Sequence, residues 1–250
     1  MSNLVSKEEY KKRLIEIIES AIKHDRKVVR FKDMLSDNTN FGDNYHTNPK
    51  TMSFEIRSTG ETAYQRAILK SGTALLDFKK GNCFESVQWI DGELPIVFNK
   101  NPRRPSIDLI GLIDSIPTLC ELKFAKIRNS DSPIYAAIEL LTYYCFVQFN
   151  AGILDKYNVS HKNLKPYSWN SIIENGFPRL IVCANKSYWD AWFSKYNKAQ
   201  LRNQVYDWGM QLDTNINIFQ TQNFDFRSQK HEGKYSPFIP ANSIWEIIKA

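Results

Sequence analysis

The sequence is poor in glycine and lacks the common motifs of nucleotide-dependent enzymes. Only ten of its 250 residues are glycine, and neither GxxxxGK followed by Ser or Thr nor GxGxxG occurs. A GxSxG nucleophile motif is absent as well. These absences count against a P-loop enzyme, a dinucleotide-dependent enzyme and an α/β-hydrolase.

Cysteine and histidine are also scarce, and both are scattered along the chain. The cysteines form no CxxC pair, and the histidines form no HExxH or other close metal-ligand spacing. We therefore expect free thiols in a reducing compartment and no zinc site. The eight residues are Cys83, Cys120, Cys145, Cys183, His24, His46, His161 and His231.

Long apolar runs are missing, and the charge excess is modest. No apolar run approaches the roughly twenty residues needed to span a bilayer, and the first residues are polar and charged, unlike a signal peptide. We therefore expect a cytoplasmic protein that does not bind to a membrane. A formal net charge of +6 is compatible with a polyanionic partner but does not by itself require one.

The stretch spanning residues 103–126 predicts two hydrophobic strands joined by a tight turn. Its sequence is RRPSIDLIGLIDSIPTLCELKFAK. Residues two apart project from the same face of a strand. Glu121 and Lys123 therefore project together, and Asp108 shares a face with Ile110 and Leu112.

The register of this hairpin places two carboxylates side by side. A two-residue turn at positions 114–115 would pair Leu112 with Pro117 and Asp108 with Glu121. Like charges opposite each other destabilise a sheet, and a divalent cation between the two acids would remove this repulsion. Pro117 cannot donate to a ladder, which leaves a longer loop open, but a shift of two residues would keep the acids on one face.

Helices and strands alternate through the rest of the chain. Hydrophobic periodicity predicts helices near residues 7–24, 59–71, 133–145 and 186–200, and strands near 82–90, 93–99, 179–185 and 215–221. The dipeptide Asp91-Gly92 predicts a hairpin turn between two of these strands. Ser132 and Pro133 mark the start of one helix. The turn-rich segment 36–51 is long for a loop and could close over a substrate groove.

The order helix, three strands, helix, strand resembles the core of the PD-(D/E)XK nuclease superfamily over roughly residues 58–184. The motif reads Pro105-Ser106-Ile107-Asp108 and, after a gap of twelve residues, Glu121-Leu122-Lys123. The proline is displaced from its usual place beside the aspartate. The resemblance implies an α/β fold with a restriction-endonuclease-like mixed β-sheet (αβββαβ core) flanked by helices. It would be a single domain over residues 1–250, with its core at about 58–221 and an N-terminal helical extension at about 1–57.

The function implied by the resemblance is a divalent-metal-dependent nuclease that hydrolyses DNA phosphodiester bonds by direct attack of water. Restriction, repair and defence are the processes in which such enzymes act. Mg²⁺ would be the cofactor, with Mn²⁺ able to replace it, and a homodimer is an option because double-strand cleavage needs two active sites. The implied catalytic residues are Asp108, Glu121 and Lys123, and the implied metal ligands are Asp108, Glu121, the Leu122 carbonyl and Glu61.

Several of these roles have structural alternatives. Glu61 also fits a capping box with Ser58, and Glu85 is a weaker substitute for it as a ligand. Lys123 could form only a salt bridge with Glu121 on a solvated face. Some subfamilies carry Q-x-x-x-Y on the helix after the lysine, where this chain has Glu139-Leu-Leu-Thr-Tyr143.

The whole chain also has an alternative reading, as a catalytically inactive nuclease-fold module that binds nucleic acid or protein. Its tryptophans crowd the C-terminal half and could form an interface, although aromatic residues at helical spacing usually lie in a core. These are Trp169, Trp189, Trp192 and Trp208. In the nuclease reading, basic residues beside the motif would hold phosphates. These are Arg103, Arg104, Lys126 and Arg128.

Overall fold

Six helices and nine strands are present in the part of the chain that a computed structural model describes. This part comprises residues 6–36, 61–78, 83–95, 105–114, 116–124, 131–157, 178–221, 230–231, 234–235, 239 and 242–249. The helices are α1 (Lys7–Ile22), α2 (Val29–Ser36), α3 (Glu61–Ser71), α4 (Pro133–Tyr157), α5 (Lys186–Phe193) and α6 (Lys198–Gln211). A 3-10 turn (Arg26–Val28) precedes α2. The strands are β1 (Thr73–Asp77), β2 (Phe84–Pro95), β3 (Ser106–Ile113), β4 (Ile116–Lys123), β5 (Arg179–Asn185), β6 (Asn215–Thr221), β7 (Lys230–His231), β8 (Lys234–Tyr235) and β9 (Ser243–Ile247).

Side-chain caps fix where several helices begin. Ser6 accepts a hydrogen bond from the Glu9 amide at the start of α1. The Ser132 hydroxyl accepts one from the Tyr135 amide at 3.0 Å, directly before Pro133 at the first position of α4. The predicted start of α4 is therefore confirmed.

Seven strands form a closed mixed barrel in the order β1-β2-β3-β4-β5-β6-β9. Strands β1 to β4 are antiparallel neighbours, whereas β4, β5 and β6 run parallel. The barrel closes because β9 pairs in parallel with β1 and antiparallel with β6. The expected restriction-endonuclease-like open sheet is therefore wrong, since β9 joins both edges that such a sheet would leave apart.

The predicted register of the β3–β4 hairpin is confirmed between Leu109 and Ile113, but the predicted pairing of Asp108 with Glu121 is absent, because the ladder ends at the pair of Leu109 with Cys120. Leu112 pairs with Pro117, and the closing pair is Ile113 with Ile116. Asp114 has the positive φ of 48° that two-residue hairpin turns require at their first position. Local turn chemistry was sufficient to define this hairpin.

The hairpin predicted at Asp91-Gly92 is wrong, because β2 continues through it as one twelve-residue strand. The register to β3 shifts between Trp89 and Asp91, which marks a β-bulge. The buried Asp91 carboxylate accepts a hydrogen bond from the Gly92 amide at 2.8 Å. The two turn-forming residues thus bend the strand instead of reversing it.

Two hydrophobic cores lie on the two sides of the barrel wall. One draws side chains from all seven barrel strands and from α3, and so fills the barrel. The other lies between the outside of the wall and α1, α2, α4, α5 and α6. The N-terminal helices α1 and α2 therefore pack on the same core as the strands. Trp189 and Trp208 belong to this outer core, as expected for aromatic residues at helical spacing.

None of the helices in the described ranges is long and apolar enough to cross a membrane. All four cysteines are free thiols.

Candidate functional site

Four carboxylates surround one lysine where α3 and α4 meet the carboxyl end of β4. Glu121 and Lys123 lie on β4 and Asp108 lies on β3. Glu61 is the first residue of α3, and Glu139 lies on α4. The two predicted catalytic acids and the lysine are thus close together, and α3 and α4 each add one further acid.

Lys123 forms two ion pairs beneath α4. Its Nζ donates to Glu121 Oε1 at 2.5 Å and to Glu139 Oε2 at 3.0 Å. All three side chains are buried, and Lys123 is only 7% exposed. The solvated surface salt bridge considered as an alternative for Lys123 is therefore excluded.

Asp108 and Glu61 bind the backbone of β4 at the point where β3 separates from it. The paired register of the two strands ends at Leu109 and Cys120. Beyond that point, Asp108 Oδ2 accepts a hydrogen bond from the Leu122 amide at 2.8 Å. Glu61 Oε2 accepts one from the Phe124 amide at 2.9 Å. Side-chain carboxylates therefore take the place of the missing ladder bonds.

Glu139 and Tyr143 lie one helical turn apart on α4. The Tyr143 hydroxyl donates to Glu139 Oε1 at 2.7 Å, while Oε2 of the same carboxylate faces Lys123. Tyr143 thereby fixes the orientation of Glu139, and Glu139 fixes that of Lys123. The Glu-x-x-x-Tyr spacing places both residues in the site although Glu replaces the Gln of the motif.

Burial makes ionisation of the central acids costly. It raises the pKa of Asp108 to about 8, against the attraction of Lys123 and the hydrogen bond from Leu122. Burial, reinforced by the neighbouring carboxylates, raises the pKa of Glu121 well above its ordinary value. Burial also raises the pKa of Glu61. These acids hold protons more tightly than ordinary carboxyl groups as long as no metal ion lies among them.

Lys123 and Glu139 remain charged. Burial acts to lower the pKa of Lys123, but the surrounding carboxylates outweigh it and raise that pKa well above the ordinary value. Burial acts to raise the pKa of Glu139, but the charge of Lys123 and the hydrogen bonds from Tyr143 and Lys123 leave it below the ordinary value.

The oxygen donors of this site fit a hard divalent cation that takes few ligands from the protein. Within the described residues, no set of three or more Asp, Glu, His or Cys side chains is arranged to hold a metal ion. Mg²⁺, however, usually takes only one or two protein carboxylates and keeps waters or substrate phosphates in its other positions. Glu121 Oε2 is buried without a hydrogen-bond donor among the same residues. Such an orphaned oxygen, beside an excess of acids over bases, is suited to a cation.

Several other predicted features lie apart from this site or outside the described residues. Glu85 forms an ion pair with Arg179, which is on the amino-terminal end of β5, so Glu85 is not part of the acidic cluster. Ser58 and the segment 36–51 lie outside the described residues apart from Ser36, the last residue of α2. The flanking basic residues and Trp169 lie outside them as well; the basic residues are Arg103, Arg104, Lys126 and Arg128.

One contact of the site was not found from the sequence. Gln65 lies one turn after Glu61 on α3, and its Nε2 donates to the Asp108 carbonyl oxygen at 2.5 Å. Because residues four apart lie on the same face of a helix, the sequence predicts that Gln65 and Glu61 are neighbours. No pattern in the neighbouring sequence indicates that these two side chains reach the place where β3 and β4 cease to pair.

A scan against protein-family models, a search of curated proteins and a search of solved structures each found no match. The resemblance to the PD-(D/E)XK superfamily therefore stays a prediction from the motif.

Proposed function

We propose that the protein is a divalent-metal-dependent nuclease that cleaves DNA phosphodiester bonds by direct attack of water. The observation that carries the proposal is the cluster of four carboxylates around Lys123, which is the one cationic side chain among them in the described part of the chain. Asp108 and Glu121 are central to it, and Glu61 and Glu139 complete it. A buried group of this composition has more acids than it can neutralise internally.

Two events can relieve this excess of negative charge. One is protonation, to which the raised pKa values of Asp108 and Glu121 point. The other is binding of a divalent cation, which would replace the protons. Mg²⁺ or Mn²⁺ would be held by Asp108, Glu121 and the Leu122 carbonyl, with Glu61 as a further ligand. All of these are hard oxygen donors.

The bound metal ion and the residues around it would have separate roles in hydrolysis. A bound divalent ion supplies positive charge beside the phosphate oxygens and lowers the pKa of water. The carboxylates around Lys123 raise its pKa in the metal-free site. A cation bound to those carboxylates would weaken this effect, and Lys123 would then orient the attacking water or take its proton. Glu139 and Tyr143 hold Lys123 in place.

A second candidate function is a binding module that does not cleave its ligand. The hydrogen bonds from Leu122 to Asp108 and from Phe124 to Glu61 favour it, because they give each acid a structural role without any metal. For either function we propose a cytoplasmic location, with which the four free cysteines are consistent. For double-strand cleavage we propose a homodimer.

Plasmid nicking in Mg²⁺ or Mn²⁺ tests the nuclease. We expect Asp108→Asn and Lys123→Met to lower the rate by a factor on the order of 100 or more. Asp190→Asn and Lys186→Met are matched controls, since these two residues form an exposed pair on α5 and should leave the rate unchanged. Equal rates for the wild type, Asp108→Asn and Lys123→Met would refute the nuclease.

Metal binding separates the two candidates. Calorimetry should show Mn²⁺ uptake by the wild type that Asp108→Asn removes. The binding module would be favoured if the wild type and Asp108→Asn took up Mn²⁺ equally, or not at all, and the wild type did not nick the plasmid.

A further inference from the structure

Gln65 connects α3 to the backbone of Asp108. The Gln65 side chain is only 4% exposed, and its Nε2 lies 2.5 Å from the Asp108 carbonyl oxygen. A carbonyl can only accept a hydrogen bond, so the nitrogen of the amide must be the atom that faces it. Gln65 therefore uses a buried side-chain N–H to hold the backbone carbonyl oxygen of Asp108, which is a predicted metal ligand.

The same carbonyl is confined by β2 on another side. A Cβ atom at Gly92 would lie 2.7 Å from the Asp108 carbonyl oxygen and 2.6 Å from Leu69 Cδ1 of α3. These distances are too short for any side chain, so the close approach requires glycine at this position. The bulge in β2 brings Gly92 there.

Asp108 is thus held at two points that together orient its carboxyl group. Its carbonyl oxygen is fixed by Gln65, and its Oδ2 is fixed by the Leu122 amide. If the carbonyl bond were lost, the Leu122 amide would be the remaining hydrogen bond that orients the Asp108 carboxyl group, and its direction would be less tightly fixed. Partners of metal ligands commonly change metal affinity by roughly 10-fold to 100-fold through this kind of orientation.

We propose that Gln65 is a positioning residue that orients the Asp108 carboxylate and thereby sets the affinity of the site for a divalent cation. The inference rests on the proposed metal-dependent function. Gln65 does not touch the cation, the substrate or the reacting atoms. It acts through Asp108 alone.

Calorimetric titration with Mn²⁺ tests this role without relying on activity. Gln65→Met keeps the length of the side chain and its helix propensity but removes the donor. We expect its Mn²⁺ affinity to fall by about 10-fold or more. Gln200→Met, on the exposed face of α6, is the matched control and should bind Mn²⁺ like the wild type. The melting temperature of each metal-free variant is measured alongside.

The outcomes distinguish the role of Gln65 from simple support of the fold. If Gln65→Met melts at a lower temperature but binds Mn²⁺ as tightly as the wild type, Gln65 is only structural and the inference is overturned. If Gln65→Met does not fold, Gln65→Asn tests the same bond, because its amide is one methylene too short to reach Asp108. Unchanged Mn²⁺ affinity in that variant overturns the inference equally.

The wild type and Asp108→Asn show which claim has failed. If Mn²⁺ binding to the wild type does not depend on Asp108, both the proposed metal site and the role of Gln65 are refuted. If binding depends on Asp108 but not on Gln65, only the role of Gln65 is refuted.

Discussion

Replacing Asp108 with asparagine should stabilise the metal-free protein at neutral and alkaline pH. Burial raises the pKa of Asp108 from 3.8 to about 8. At pH 7 the unfolded chain carries an ionised Asp108, whereas the folded protein must take up a proton or bury the charge. Asparagine needs neither and keeps an oxygen that can accept the hydrogen bond from the Leu122 amide.

The size of the effect follows from the pKa shift. About three pKa units separate the unfolded value from pH 7, and each corresponds to about 1.4 kcal/mol, which gives a ceiling of about 4 kcal/mol. Asp108 is partly exposed and its neighbours change protonation with it, so we expect about 1–3 kcal/mol. In a chain of this size, that gain raises the melting temperature by roughly 3–10 °C.

The pH dependence fixes the sign of the prediction. Because the folded pKa is raised, the stability that Asp108 contributes is fully present below pH 3.8 and is lost as pH rises through about 8. The advantage of Asp108→Asn should therefore be near zero at pH 4, increase through neutral pH and level off above pH 8.

Urea unfolding of both proteins between pH 4 and pH 9, in the presence of a chelator, measures this difference directly. Asp190→Asn is the control, because its exposed pair with Lys186 should contribute less than about 1 kcal/mol at any of these pH values. A wild type that is more stable than Asp108→Asn at pH 8, or a difference that does not vary with pH, would refute the reasoning.

Three further predictions concern the same region. Glu139→Gln should destabilise the protein by about 1–3 kcal/mol at pH 7, because it removes a buried partner of Lys123. Since the folded pKa of Glu139 is lowered, this loss should shrink as pH falls below 4.5, and urea unfolding at pH 3 and 7 would show it. Saturating Mn²⁺ should raise the melting temperature of the wild type but not of Asp108→Asn, and an equal rise in both would contradict a site at Asp108. Gly92→Ala should cost about 1–3 kcal/mol by thermal unfolding, because the new methyl group would lie 2.7 Å from the Asp108 carbonyl oxygen; unchanged stability would contradict this close approach.

Local sequence rules accounted for the elements whose contacts are close in the chain. The two-residue turn and the period of two gave the β3–β4 register, including the pairing of Leu112 with Pro117. The cap formed by Ser132 and the proline after it gave the start of α4. In each case the residues that decide the conformation lie within a few positions of one another.

The same rules failed where a distant segment decided the outcome. Asp91-Gly92 favours a hairpin by turn propensity, yet β3 and α3 hold β2 extended there, and Gly92 packs against Asp108 and Leu69. The strand at residues 243–247 could equally have been a helical turn from its sequence. Its pairing with β1 and β6, which closes the barrel, depends on segments far away in the chain.

The sequence by itself determined that Asp108, Glu121 and Lys123 belong together, because strand periodicity and one tight turn bring them to the same end of a hairpin. Only the tertiary structure decided what surrounds them. Packing of α3 and α4 against the end of β4 brings in Glu61 and Glu139, and the resulting burial is the largest cause of the raised pKa values of Asp108 and Glu121. Burial and contacts between distant segments are properties of the whole fold, and no local pattern encodes them.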